Sequence, residues 1–153
     1  MVIADGLKKQ IDGLVDAHLS DFKAMSQDNL LKVIGGLNIG QYDYWHSDLR
    51  NPGKLNPAKV LEAQSHADQL NWRSAGGQFW ADLEPNLHQI ICTNDVIKEI
   101  VGNLGDTNKD KLVKAISEVV LGSAAISVQL PLLAVALAWY LISKELTKWC
   151  NWS

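Results

Sequence analysis

The chain has 153 residues, of which 47% are apolar and 20% are charged, and its net charge is -3. This composition is typical of one globular domain that is large enough to bury a core, and it excludes an intrinsically disordered chain. The fourteen basic side chains are scattered among seventeen acidic ones. Because a phosphate backbone requires a concentrated basic surface, we expect no nucleic-acid partner.

Apolar residues at helical spacing predict two helices in the first part of the chain. The first helix is predicted from apolar positions at steps of three or four, together with one histidine: Ile3, Leu7, Ile11, Leu14, His18, Phe22 and Met25. A second, short helix is expected to be capped by Ser26 or Asp28 and to stop at Gly35 and Gly36.

The middle of the chain predicts two more helical regions. Asn56 followed by Pro57 is a good helix start, and the polar helix that it opens is expected to reach about Trp72 and to lie outermost. Apolar residues over 79–91 keep helical phase across Pro85. This region is predicted to be either one kinked helix or two abutting helices.

Two shorter helices are predicted next, and no segment shows the period of two that a strand would need. Thr93 or Asn94 caps the first of them, which ends at Gly105. Thr107 opens the second, which ends at Gly122. The sequence therefore predicts an all-α fold.

An uncharged stretch over 119–143 raises the question of a membrane span. A span needs about 20 apolar helical residues, whereas only 130–142 is consistently apolar, a length of about 20 Å as a helix. We therefore expect a buried central helix that becomes amphipathic and continues to Trp149. The predicted architecture is a single domain, 1–153, with about six or seven helices bundled around this hydrophobic C-terminal helix.

Two cysteines, Cys92 and Cys150, are far apart in sequence and form no CxxC pair. We expect both thiols to be buried and reduced. The opening residues contain no continuous apolar signal region. The two observations together predict a cytoplasmic protein.

Two Glu-x-x-x-His spacings could place a carboxylate and an imidazole on one helix face: Glu62 with His66, and Glu84 with His88. Two such helices could hold a metal ion. However, di-iron bundles use Glu-x-x-His and zinc hydrolases use His-Glu-x-x-His, and neither is present. Exposed polar pairs are the preferred interpretation, and we expect no cofactor.

An aromatic loop over 42–46 could form a pocket in which Asp43 and His46 act as an acid and a base. No nucleophile can be matched to this pair, so packing of the loop on the core is the preferred interpretation and no catalytic residue is assigned. The aromatic-loop residues are Tyr42, Tyr44, Trp45 and His46.

Six tryptophans are many for this length, and two of them, Trp149 and Trp152, lie too near the terminus to be fully enclosed. Exposed Trp is enriched in interfaces. The sequence therefore favours a non-enzymatic cytoplasmic interaction or assembly module that binds a protein partner or a second copy through this aromatic tail. The first alternative is a membrane-active effector that releases 119–143, and the second is a metal-dependent enzyme.

Overall fold

The computed structural model describes residues 5–40, 57, 60, 69–104, 109–123, 126, 128 and 131–152, and these contain helices and no strand. The all-α prediction is confirmed. The helices are α1 (Asp5–Lys23), α2 (Gln27–Gly40), α3 (Gln69–Cys92), α4 (Asp95–Leu104), α5 (Lys109–Gly122), α6 (Pro131–Ile142) and α7 (Leu146–Trp149).

Helix α6 forms the centre of the bundle, as the sequence predicts. All of its residues are buried except Trp139, which is half-buried. Helices α1, α2 and α5 pack on it. Because α6 is apolar around its whole circumference, it requires cover on every side.

The uncharged stretch 119–143 is not one continuous helix. Its first residues belong to the end of α5, and α6 begins only at Pro131. Within the described ranges, no helix is both long enough and apolar enough to cross a membrane.

Helices α2 and α3 cross at very short range because glycines meet at the crossing. A Cβ on Gly35 would overlap the backbone carbonyl of Trp72, and a Cβ on Gly76 would overlap that of Leu31. The predicted stop at Gly35 and Gly36 is wrong, since α2 continues to Gly40. Gly35 serves close approach between two backbones, and Gly36 leaves room for the Trp72 indole, so neither glycine terminates the helix.

Helix α3 is longer than the sequence suggested. It begins at Gln69, so the prediction of a helix ending near Trp72 is wrong, and Trp72 instead lies buried inside α3. The same helix runs through Pro85, which decides for a single helix over two abutting ones. Pro85 and Ala81 are both exposed, so the carbonyl that loses its helical partner is open to water.

Two of the predicted helix caps are present. The Ser26 Oγ accepts a hydrogen bond from the Asn29 amide at 3.1 Å, and the Asn94 Oδ1 accepts one from the Ile97 amide at 3.0 Å. Each bond satisfies a backbone donor that the first helical turn leaves unpaired. The predicted cap at Thr107 lies outside the described residues.

The chain does not continue helically from α6 to Trp149, and that expectation is wrong. Helix α6 ends at Ile142, and Glu145 takes a left-handed conformation with φ 59° before the short helix α7. Leu146 is only 3% exposed. This turn directs the last residues back onto α3 instead of out into solvent.

Candidate functional site: the docked C-terminal segment

Residues 143–152, here called the C-terminal segment, are joined covalently to the end of α3. A disulfide connects Cys92 with Cys150, which lie 58 positions apart in sequence. The expectation of two reduced thiols is wrong. Sequence spacing gave no sign of the bond, because the two cysteines meet only when the chain reverses after α6.

Trp149 is held on α3 by contacts one helical turn apart. Its indole Nε1 donates to the Glu84 Oε2 at 3.4 Å, and its backbone carbonyl accepts a hydrogen bond from the His88 Nε2 at 3.0 Å. The His88 ring meets the indole edge-on, with ring centres 4.8 Å apart. Glu84 therefore binds the side chain of Trp149, and His88 binds its backbone.

Trp152 is anchored at the disulfide itself. Its indole Nε1 donates to the backbone carbonyl of Cys92 at 3.2 Å. Both tail indoles thus have their N–H groups satisfied within the chain, while their rings are only half-buried. The geometry fixes the direction of each ring and leaves part of its surface in solvent.

An aromatic cluster packs against the C-terminal segment. Trp80 and Tyr140 pack edge-to-face with ring centres 4.8 Å apart. The ring centres of Trp80 and Trp149 are 6.3 Å apart. The Lys144 Nζ lies 4.8 Å from the Tyr140 ring centre, within range of a cation–π interaction. The Trp80 Nε1 donates to the Glu84 Oε2 at 3.1 Å. A single carboxylate oxygen therefore accepts from two indoles.

The outer edge of the C-terminal segment is polar. Thr147, Lys148 and Asn151 are exposed. The Lys148 Nζ lies 2.9 Å from the Glu145 carboxylate, and this hydrogen bond raises the pKa of Lys148 above its ordinary value. Since both partners belong to the segment, this ion pair does not tie the segment to α3.

The structure gives Glu84 and His88 a partner that the sequence did not indicate. They share one face of α3, as their spacing predicts, and both contact Trp149. Their predicted counterparts Glu62 and His66 lie outside the described residues. No group of three or more His, Cys, Asp or Glu side chains able to hold a metal ion occurs in the described part of the chain. The aromatic-loop residues also lie outside the described part of the chain: Tyr42, Tyr44, Trp45 and His46.

An open cavity of about 360 Å³ lies where the ends of α3, α4 and α5 meet. Thr93 and Asn94 line it, but their side-chain oxygens are bonded to the Gln89 carbonyl and the Ile97 amide. Glu118 supplies a carboxylate at its wall.

Comparisons of the chain with protein-family models, curated proteins and solved structures found no match.

Proposed function

We propose that the protein is a non-enzymatic interaction or assembly module whose contact surface is the C-terminal segment. The observation that carries the proposal is the fixed presentation of Trp149 and Trp152. Each indole N–H is bonded within the chain, and each ring remains half-exposed. The partner is a protein or a second copy of this chain.

Fixed indoles favour binding for two physical reasons. A partner that covers an immobilised ring does not have to restrict its rotation, so less conformational entropy is lost on association. The partner also meets apolar ring surface rather than an unpaired N–H group that would need its own acceptor. Tryptophan is accordingly frequent among residues that dominate binding energy.

The described surface also contains other half-buried apolar side chains, among them Met25, Phe79 and Trp139, but their surroundings are not those of an ordered pair of indoles. Among the described residues, Val96 is the large hydrophobic side chain that is exposed, at 62%. Isolated apolar residues of this kind are ordinary on a soluble surface. The half-buried indoles are interspersed along the chain with exposed Thr147, Lys148 and Asn151, and a mixture of aromatic and polar residues is typical of binding surfaces.

The disulfide bears on where such a surface would operate. A cytoplasmic location is the prediction from sequence, but disulfides are rare in the cytosol because cellular thiols keep cysteines reduced. The docked segment contains the Cys92–Cys150 bond. We therefore propose that the contact surface works where disulfides persist.

Site-specific photo-cross-linking in cells of the source organism tests the proposal. A benzophenone amino acid at Thr147 lies on the C-terminal segment, and one at Ala17 lies on the exposed face of α1 as a matched control. We expect adducts of defined mass from position 147 alone, and their loss when Trp149 and Trp152 are both replaced by Ala. Sedimentation of the purified protein separates a second copy from a different partner.

The proposal fails if both positions give equal adducts, or if adducts from position 147 persist without the two indoles. Circular dichroism of the double variant must show an intact helical fold. If helicity is lost, the single variant Trp152→Ala, which removes only the outermost indole, provides the same comparison.

A further inference from the structure

We propose that the Cys92–Cys150 disulfide is a redox latch: oxidation holds the C-terminal segment on α3, and reduction frees the segment while the helical core stays folded. The inference rests on the proposed function in one respect, because the segment that the latch controls is the proposed contact surface. Its structural basis lies in the contacts that surround the disulfide.

The noncovalent contacts between the segment and α3 extend from the disulfide back to Trp80, which lies against Trp149 and Lys144. They include the bonds from Trp149 to Glu84, from His88 to Trp149 and from Trp152 to Cys92. His88 is exposed and the two indoles are half-buried. Because the net contribution of a hydrogen bond is modest where water competes for its partners, we infer that these bonds hold the segment less firmly than the disulfide does.

The backbone at the start of the segment favours release. Glu145 has φ 59° and ψ 84°, and its side chain makes no capping hydrogen bond to α7. A residue with a Cβ is disfavoured in this left-handed conformation, and the docked fold must compensate for that cost. Asn151 also has a positive φ, 57°, which asparagine tolerates better. Undocking allows Glu145 to return to an ordinary conformation, so it serves as the hinge.

Most of the cover of α6 comes from other helices and not from the segment. Helix α6 ends at Ile142, before the hinge, and is enclosed by α1, α2 and α5. Within the segment, Leu146 and Cys150 are the buried side chains. Undocking exposes these two side chains and uncovers part of Trp80 and Tyr140, whereas the contacts of α1, α2 and α5 with α6 remain.

The chemistry of release is ordinary thiol–disulfide exchange with a dithiol as reductant. A thiolate of the dithiol attacks one sulfur of the Cys92–Cys150 bond, which breaks as a mixed disulfide forms. The second thiol of the reductant then attacks the mixed disulfide and displaces the protein sulfur. The reductant leaves with its two sulfurs joined in a disulfide. Both cysteines end as thiols, having gained two electrons and two protons between them. Cys92 is half-buried and Cys150 is buried, so Cys92 is the more accessible residue of the pair.

Hydrogen exchange on the purified full chain, with and without dithiothreitol, tests the latch. In the docked segment the amides of Trp149, Cys150 and Trp152 donate to backbone carbonyls. We expect these amides to exchange at least tenfold faster after reduction, with α1 and α6 unchanged. Trypsin should likewise cut after Lys148 at least tenfold faster. Cys150→Ser should show the fast rates without reductant and should not respond to dithiothreitol.

Two results would overturn the latch. Equal exchange of the segment in oxidised and reduced protein would show that noncovalent contacts suffice to dock it. Loss of protection throughout α6 would show that the disulfide maintains the whole fold. Failure of the proposed function is distinguishable, because it would leave redox-dependent exchange intact and remove only the adducts from position 147.

Discussion

The indole nitrogen of Trp149 lies 3.4 Å from the Oε2 of Glu84, a carboxylate 65 positions earlier in the chain. The same oxygen accepts a hydrogen bond from Trp80 at 3.1 Å. One half-buried side chain on α3 therefore connects the aromatic cluster beneath the C-terminal segment with the segment itself.

Replacing Glu84 by Ala should destabilise the protein by about 1–3 kcal/mol, because two indole N–H groups lose their acceptor. Urea unfolding monitored by circular dichroism measures the change in free energy. The matched control is Asp82→Ala, which removes an exposed carboxylate whose side-chain partner is Gln78. Equal effects of the two variants would contradict the importance of the Glu84 contacts.

The two cysteines should resist alkylation in denaturant until a reductant is added. Intact-mass spectrometry should then show two added alkyl groups. Removing the bond should destabilise the fold by roughly 4 kcal/mol in the chain-entropy treatment, given the separation of 58 residues. The variant Cys92→Ala with Cys150→Ala measures this loss by urea unfolding. Alkylation of both thiols without reductant would show that the bond is absent in solution.

Gly76→Ala should destabilise the protein by about 1–3 kcal/mol, because the new methyl group would overlap the Leu31 carbonyl and push α2 and α3 apart. The neighbouring Gly77→Ala is a matched control, since nothing lies within 4 Å of the added Cβ. Alanine has a higher helix propensity than glycine, so Gly77→Ala should stabilise the protein by up to about 1 kcal/mol. Thermal unfolding measures both. Stabilisation by both variants would rule out the close crossing.

Leu137→Ala should cost about 2–5 kcal/mol, because Leu137 is 1% exposed in the middle of α6 and truncation leaves a cavity. The exposed Val96 provides the control, and Val96→Ala should change stability by less than about 0.5 kcal/mol. Urea unfolding compares the two. An unchanged free energy of unfolding for Leu137→Ala would refute the central position of α6.

Ser117→Ala should stabilise the protein by about 1 kcal/mol. Its Oγ is fully buried and has no hydrogen-bond partner among the described residues, so the hydroxyl is desolvated without compensation. Ser20→Ala, on the exposed side of α1, controls for the higher helix propensity of alanine. If Ser117→Ala is the less stable of the two by thermal unfolding, the hydroxyl has a partner in solution.

Local sequence patterns were enough to identify most helices and the central position of α6. A continuous apolar run such as 130–142 can be stable in water only when other helices enclose it, so its burial follows from composition alone. Caps are equally local, and Ser26 and Asn94 bond to amides three residues ahead. Of the candidate site, the sequence indicated Trp149 and Trp152, and it placed Glu84 and His88 on one helix face.

The features that the sequence could not decide depend on where distant segments meet. Gly35 and Gly36 would be helix terminators in isolation, but with α3 facing them Gly35 lets two backbones approach and Gly36 makes room for the Trp72 indole. Likewise, Cys92 and Cys150 carry no spacing signal, because their meeting depends on the reversal at Glu145. Hydrophobic periodicity determines which face of a helix is buried, whereas packing between helices determines which distant residues become neighbours.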